Sequence, residues 1–345
     1  MNAPDATRQT LHEAGEPPFF VFGCPRSGTS LLSRMLDQHP RIAIPNESHL
    51  FTRFYPLRNH YGDLSHRACR ERMVTDMLHR RPVAFWSPRP DRDRVLASIG
   101  EHDFGGIVGA LLGTWARDRG KARWGEKTPQ HVRYWRQIRT CFPGAKAVHI
   151  IRDGRDVALS TLRASFGPKS VYAAAGRWAA YVQRVERLDV AGGSAGAFVL
   201  RYEDLLANPE RELTRVCEFL GETFVPDMLE YHRDEGRYRR EEVNAANLRR
   251  PLLRGNVEKW RTAMSVGEMR IFEAVAGRTL ERYGYERVVP QATLSPMEEF
   301  FRRRVEAPLR KARSVAADPV HLVKSLDHVA FAARRRLAGS FRRAR

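Results

Sequence analysis

The chain has 345 residues, of which 42% are hydrophobic, 29% charged and 10% aromatic. This excludes a disordered chain, a collagen and a disulfide-dense mini-protein, and allows one large or two ordinary domains with ample core. The net charge of +19, of which residues 301–345 carry +10, suits an anionic ligand, a membrane surface or nucleic acid as partner.

Residues 1–17 read as a polar leader, and MNAPDATRQTLHEAGEPP lacks the basic-then-apolar order of a secretory signal. Pro18-Phe19-Phe20-Val21-Phe22-Gly23 is a short apolar run that predicts a buried strand. A glycine-punctuated loop follows, then Leu31, Leu32, Met35 and Leu36 at helical spacing, stopping at His39-Pro40. Helices are expected over 66–80 and 104–117, with a proline- and arginine-rich surface loop over 81–93 between them. A second buried strand is expected at 146–151, ending in Arg152-Asp153-Gly154-Arg155-Asp156, with a helix beginning near Asp156. Residues 197–202 form the third strand. Asn208 as N-cap, Pro209 in the first turn and Gly221 at the exit then bound a helix.

Strands alternating with helices predict an α/β fold, a P-loop-like three-layer sandwich with a central parallel sheet flanked by helices. That domain covers 18–290, and 291–345 is a basic helical extension with amphipathic stretches at about 294–313 and 319–338. No window approaches the ~18 consecutive apolar residues of a membrane span. Cys24, Cys69, Cys141 and Cys217 have neither metal-ligand nor framework spacing, so free thiols in a reducing cytoplasm are expected.

Gly23-Cys24-Pro25-Arg26-Ser27-Gly28-Thr29-Ser30 has the G-x-x-x-x-G spacing of a phosphate-cradling loop between strand and helix. In the nucleoside-triphosphate version a lysine comes next and reaches the β/γ-phosphates. Here Thr29 takes that position and the charge sits at Arg26, while backbone amides and the helix N-terminus still hold an anion. No clear acidic strand end for Mg²⁺ is visible, so no metal is expected. A P-loop kinase that lost its lysine is one alternative. A non-catalytic anion- or nucleic-acid-binding protein is another, although no nucleic-acid motif appears.

With these residues the chain resembles the sulfotransferases that use 3′-phosphoadenosine 5′-phosphosulfate (PAPS) and release PAP. Their phosphosulfate loop reads P-R-S-G-T-S/T-L in the branch that includes the protein-tyrosine and many bacterial enzymes, and Pro25–Leu31 matches it. Met35-Leu36-Asp37-Gln38-His39-Pro40 is close to the family's M-L-D-x-H-P. The resemblance implies that Arg26, Ser27, Gly28, Thr29 and Ser30 hold the 5′-phosphosulfate. It also implies that Arg152 and Ser160, eight residues apart, hold the 3′-phosphate, a grip for which a guanidinium fork is chemically suited. On its own, R-D-x-R-D is equally a salt-bridged strand end. Tyr202, in Arg201-Tyr202-Glu203-Asp204-Leu205, resembles the family's Y-E-D-L near the adenosine. Arg254, Gly255 and Lys259 resemble the R-G-x-x-x-x-W segment that folds over the cofactor, without the longer pattern's second glycine.

For the chemistry, the resemblance implies charge stabilisation by Arg26 and by Lys127, which stands in Gly125-Glu126-Lys127-Thr128-Pro129 like the family's K-T-P lysine. Lysine is scarce, seven of 59 basic residues, so a lysine inside a motif is the more telling. Glu47, in Pro45-Asn46-Glu47-Ser48, has the spacing of the branch's catalytic glutamate and is the expected base, with His39, His49 and His131 as rivals. The acceptor is open: glycan, lipid, small molecule or peptide, approached over 48–105 and 164–175. Oligomeric state, homodimer included, is left open by the sequence, and no specific nucleic acid is expected. In the tail, Leu322, Val323, Leu326, Val329 and Ala330 form an apolar stripe flanked by Lys324 and Arg334-Arg335-Arg336. It packs on the domain or a second subunit, or residues 294–345 touch an anionic membrane peripherally.

Overall fold

The computed structural model describes residues 16–164, 167–191, 197–233, 245–317 and 329–338. Five strands form one sheet in the order β2-β3-β1-β4-β5, with every pairing parallel. They are β1 Phe19–Phe22, β2 Ile42–Ala43, β3 Arg123–Glu126, β4 Lys146–Ile151 and β5 Ala197–Arg201. β1, β4 and β5 are the three apolar runs expected from sequence. β2 has two residues, and β3 carries Arg123 and Glu126, so neither reads as an apolar run.

Side chains alternate across the sheet and separate two cores. Phe20, Phe22, Ala147 and Ile151 face one, and Phe19, Val21, Val148, Ile150 and Leu200 face the other. The second face is covered by α1, Thr29–Asp37, through Leu32, Met35 and Leu36. The first is covered by α2, Arg67–His79, α3, Phe104–Arg117, and further along the chain by α4, Gly154–Arg163, and α5, Val171–Ala191. Next come α6, Tyr202–Ala207, and α7, Pro209–Leu220, which belong to the α1 side. α8, Val266–Arg282, returns to the first face against α5. Asn208 takes the N-cap position of α7 but makes no side-chain cap bond, whereas Gly221 closes the helix in the left-handed conformation. The 81–93 segment is less superficial than expected: Val83 and Trp86 are buried in the first core, with Trp86 against Trp115.

The C-terminal part begins with α9, Pro296–Phe301, passes through a wide helical turn at Arg302–Glu306, and continues as α10, Ala307–Ala317. Leu322, Val323, Lys324 and Leu326 of the expected stripe lie outside the described residues. Residues 329–338 are helical. Val329 and Ala330 are exposed, but Phe331 packs edge-on to Phe54 under the Arg80 guanidinium. Arg335 pairs with Asp76 and stacks over Tyr61. Among the described residues no helix is long and apolar enough to cross a membrane.

Candidate active site

Every strand delivers a singled-out residue at or just past its C-terminal end, where parallel α/β sheets bind ligands. In sheet order these are Glu47 after β2, Lys127 after β3, the Gly23–Ser30 loop after β1, Arg152 after β4 and Tyr202 after β5. A cavity of about 520 Å³ opens there, lined by Arg26, Gly28, Thr29, Ser30, Arg152, Asp156, Ser160, Tyr202, Asn256 and Lys259 among others.

The loop owes its shape to close approaches. Gly28 has φ 95°, and a Cβ there would meet the Tyr202 ring at 2.4 Å. A Cβ on Gly23 would meet the Ile150 carbonyl oxygen at 2.6 Å. Arg26 adopts a left-handed φ of 82°, a strained conformation for an arginine. Gly28 is the N-cap of α1 and offers no side-chain cap, and the first turn holds no acid, so its leading amides are left to an anion.

Arg26 Nε donates to Ser160 Oγ at 2.9 Å, joining two elements 134 residues apart. Arg152 lies over the Tyr202 ring at 4.6 Å and donates to Asp156 at 3.1 Å and to the Asn256 carbonyl at 2.8 Å. Burial, and then the like charge of Arg152, lower the Arg26 pKa. The cavity wall carries four cations, Arg26, Arg152, Arg163 and Lys259, against one carboxylate, Asp156. Ser27 Oγ and Arg152 Nε are buried without a hydrogen-bond partner. A guanidinium donor left over on the wall of a cationic pocket fits a phosphate-bearing ligand.

The R-D-x-R-D run serves two purposes. Arg152 and Asp156 face the cavity, while Arg155 forks onto Asp153 at 3.1 and 2.8 Å, reaches Glu273 at 2.8 Å and stacks 3.5 Å above Trp260. The salt-bridged strand end and the ligand-facing arginine are thus both present, three residues apart.

Of the three residues expected from the Arg254–Trp260 segment, Lys259 lines the cavity and Arg254 and Gly255 do not. Arg254 and Gly255 are exposed, because turns from Leu252 and Leu253 carry them outward. Asn256 makes the contacts instead, donating to the Tyr202 hydroxyl at 2.7 Å and accepting from Arg152. The Trp260 amide donates to Asp156 at 2.9 Å and anchors the segment. Nothing in the sequence singles out Asn256, whose role arises from tertiary contact.

Lys127 is 3% exposed; its Nζ donates to Ser30 Oγ at 3.2 Å and Glu47 Oε1 at 2.8 Å. Neither Lys127 nor Glu47 lines the cavity, and Ser30 links them to it. His49 Nε2 stands 3.4 Å from the other Glu47 oxygen. Burial opposes ionisation of Glu47, but Lys127 and His49 together outweigh it and hold the carboxyl far below the usual carboxylate range.

Beneath this pair lies Glu126, which sequence reasoning passed over. It is an acidic strand end after all, but its oxygens are occupied. They accept from Ser48 Oγ at 2.7 Å, Thr128 Oγ1 at 2.6 Å and His131 Nδ1 at 2.8 Å, and from the Ser48 amide at 3.3 Å. Burial raises its pKa, yet His131 and these bonds push it down to about 2. His131 Nε2 accepts from the Phe51 amide at 3.2 Å, so this ring is fully engaged and buried. His39, also buried, is tied to the Thr223 carbonyl at 2.9 Å. Of the rival bases only His49 adjoins Glu47.

Residues 17–227 match the model of the sulfotransferase family. Protein-tyrosine sulfotransferase A of Caenorhabditis elegans is 24% identical over 211 residues, 59% of this chain and 50% of that protein. The nodulation protein NoeE of Sinorhizobium fredii is 27% identical over 305 residues, 79% and 67% of the two chains. The omega-hydroxy-beta-dihydromenaquinone-9 sulfotransferase Stf3 of Mycobacterium tuberculosis is 27% identical over 190 residues, 49% and 43%. The matched stretch thus spans about half the length of the nematode and mycobacterial proteins. The sulfotransferase domain of the Synechococcus PCC 7002 olefin synthase superposes with a TM-score of 0.53 at 22% identity, covering 80% of this chain and 97% of that one. The domain from the curacin biosynthetic pathway gives 0.52 at 18%, covering 79% and 99%. The family model covers more than half of the chain and both superpositions share its parallel α/β architecture: the chain belongs to the sulfotransferase family.

Proposed function

We propose that the protein transfers the sulfuryl group of PAPS to an acceptor hydroxyl or amine, with 18–290 as the catalytic unit. The observation that carries this reading is the meeting of Arg26, Ser160 and Arg152 at one cavity with a surplus of three positive charges. When bound, PAPS supplies an activated sulfuryl group whose leaving group is PAP.

The residues divide the remaining work. Arg152 and Ser160 bind the 3′-phosphate, with Tyr202 and Asn256 beside the nucleoside. The 27–30 amides and hydroxyls hold the 5′ end. As the acceptor oxygen bonds to sulfur and the sulfur–phosphate oxygen bond breaks, Glu47 takes the acceptor proton. Arg26 and Lys127 stabilise the charge left on the phosphate. Glu47 is a weak base while Lys127 sits on it; drawing Lys127 toward a bound anion raises its basicity where a proton must be taken. By their names, the nematode and mycobacterial relatives act on a protein tyrosine and on an omega-hydroxy-menaquinone, which favours a hydroxyl acceptor over an amine here.

The test is thermal stabilisation by adenine nucleotides. PAP is expected to raise the melting temperature without divalent metal and more than ATP does. Equal stabilisation by ATP, or a strict Mg²⁺ requirement, overturns the donor assignment in favour of a kinase-like enzyme.

A further inference from the structure

The segment α9–α10 leaves large apolar side chains in water while part of its acidic charge is engaged by the domain. Glu298 pairs with Arg270 of α8 at 2.7 Å, and Glu299, itself exposed, accepts from the Tyr172 hydroxyl of α5 at 3.3 Å. Glu306 takes both Arg302 and Arg310 at 3.0 Å. The apolar side chains face outward: Met297 is 75% exposed, Phe300 60%, Phe301 53% and Leu309 53%. Val266, one turn before Arg270, is 69% exposed. A helix whose stability came only from its own domain would turn these side chains inward.

The charge on this face narrows what covers it. Arg303, Arg304 and Arg313 are exposed between the apolar residues and form no ion pair among the described residues. A second copy would add the same excess of positive charge to the contact, whereas an anionic bilayer neutralises it while its acyl boundary takes up the phenylalanines. We infer that α9–α10 is a docking surface for an anionic lipid bilayer, with Met297, Phe300, Phe301 and Leu309 as the inserted face. Tyr172 and Arg270, which α9 contacts, lie near the N-terminal ends of α5 and α8, and Arg163, Ala164, Thr262 and Ala263, a few residues earlier in the chain, line the cavity wall. This places the membrane contact on α9–α10 rather than on residues 329–338, where Phe331 and Arg335 are occupied by the domain. It holds whether or not PAPS is the donor.

The experiment is co-sedimentation of the full-length chain with phosphatidylcholine vesicles, with and without about one-third phosphatidylglycerol, at about 0.15 M salt. The wild type is expected to pellet with the anionic vesicles only. Phe300→Ser/Phe301→Ser and Arg303→Glu/Arg304→Glu are each expected to weaken partitioning at least tenfold. Because the replaced residues are exposed, their melting temperatures should match the wild type. Wild-type protein that stays in the supernatant overturns the inference. So does binding that survives both double variants, which would assign the contact to another surface. A concentration-dependent dimer abolished by Phe300→Ser/Phe301→Ser, without vesicle binding, would make the face a contact between two copies and equally overturn it.

Discussion

Lys127 donates to Glu47 across 2.8 Å while reaching Ser30 of the phosphate loop at 3.2 Å, so one ammonium couples the proposed base to the anion site. Glu47→Gln removes the proton acceptor but leaves the loop intact. Turnover should fall ~10²–10⁴-fold, the usual value of a positioned general base, with PAP affinity nearly unchanged. Near-normal turnover would transfer the role to His49, the only rival ring beside it.

Lys127→Ala frees Glu47 of its strongest counter-charge, and the carboxyl should rise toward the ordinary carboxylate range. The acid limb of the pH–rate profile then moves upward, and turnover drops because stabilisation of the leaving group is lost. PAP affinity should fall less than in Arg26→Ala, since Arg26 lines the cavity and Lys127 does not. The reverse ordering of the two affinities would exchange their roles.

Glu126 acts one layer deeper, as a positioning residue. It ties Ser48 and, through His131, Phe51 to the strand end from which Lys127 projects. Glu126→Gln keeps the volume but loses the charge that four donors share. The kcat should fall at least tenfold while the KM for donor stays within a fewfold, and Glu126→Asp should restore part of it. Equal loss of kcat in both variants, or a matching rise in KM, would reduce Glu126 to a structural role.

What the sequence made legible was whatever its own neighbourhood determines. β1 and β4 carry apolar residues on both faces because both faces of the sheet are covered there, and Gly28 is required by the approach of Tyr202. β3 was hidden because Arg123 and Glu126 are buried with distant partners: Arg123 donates to the Pro17 and Leu220 carbonyls at 2.9 and 2.8 Å. Asn256 and the Glu126–His131 pair escaped for the same reason. Their significance lies in contacts across 54 to 104 residues, or in burial that no spacing encodes. Arg254 shows the converse error, a motif position that the local turns carry away from the cavity.

Arg152→Ala should weaken PAP by about 2–5 kcal/mol, the cost of removing one partner from a buried charge pair formed between protein and ligand. The loss should be specific to the 3′-phosphate. Adenosine 5′-phosphate should bind wild type and variant alike, so the preference for PAP over it collapses. Titration calorimetry with both nucleotides decides this, and an undiminished preference would give Arg152 another role.

The last expectation concerns acid stability. His149, in the middle of β4, is fully buried with both ring nitrogens unpartnered, and burial pushes its pKa down to about 4 from 6.5. Folding therefore requires the neutral ring. The unfolded chain begins to take up the proton near pH 6.5 and the folded chain only near pH 4, so stability is complete above 6.5 and declines as pH falls between them. At 1.36 kcal/mol per pKa unit the loss approaches about 3 kcal/mol. His39, also lowered, first by burial, adds to the same decline, whereas Glu126 titrates below this window. His149→Leu should flatten most of the fall in urea midpoint between pH 7.5 and 4.5, leaving the part due to His39. A variant whose midpoint still drops as steeply as wild type would show that a different group governs the acid limb.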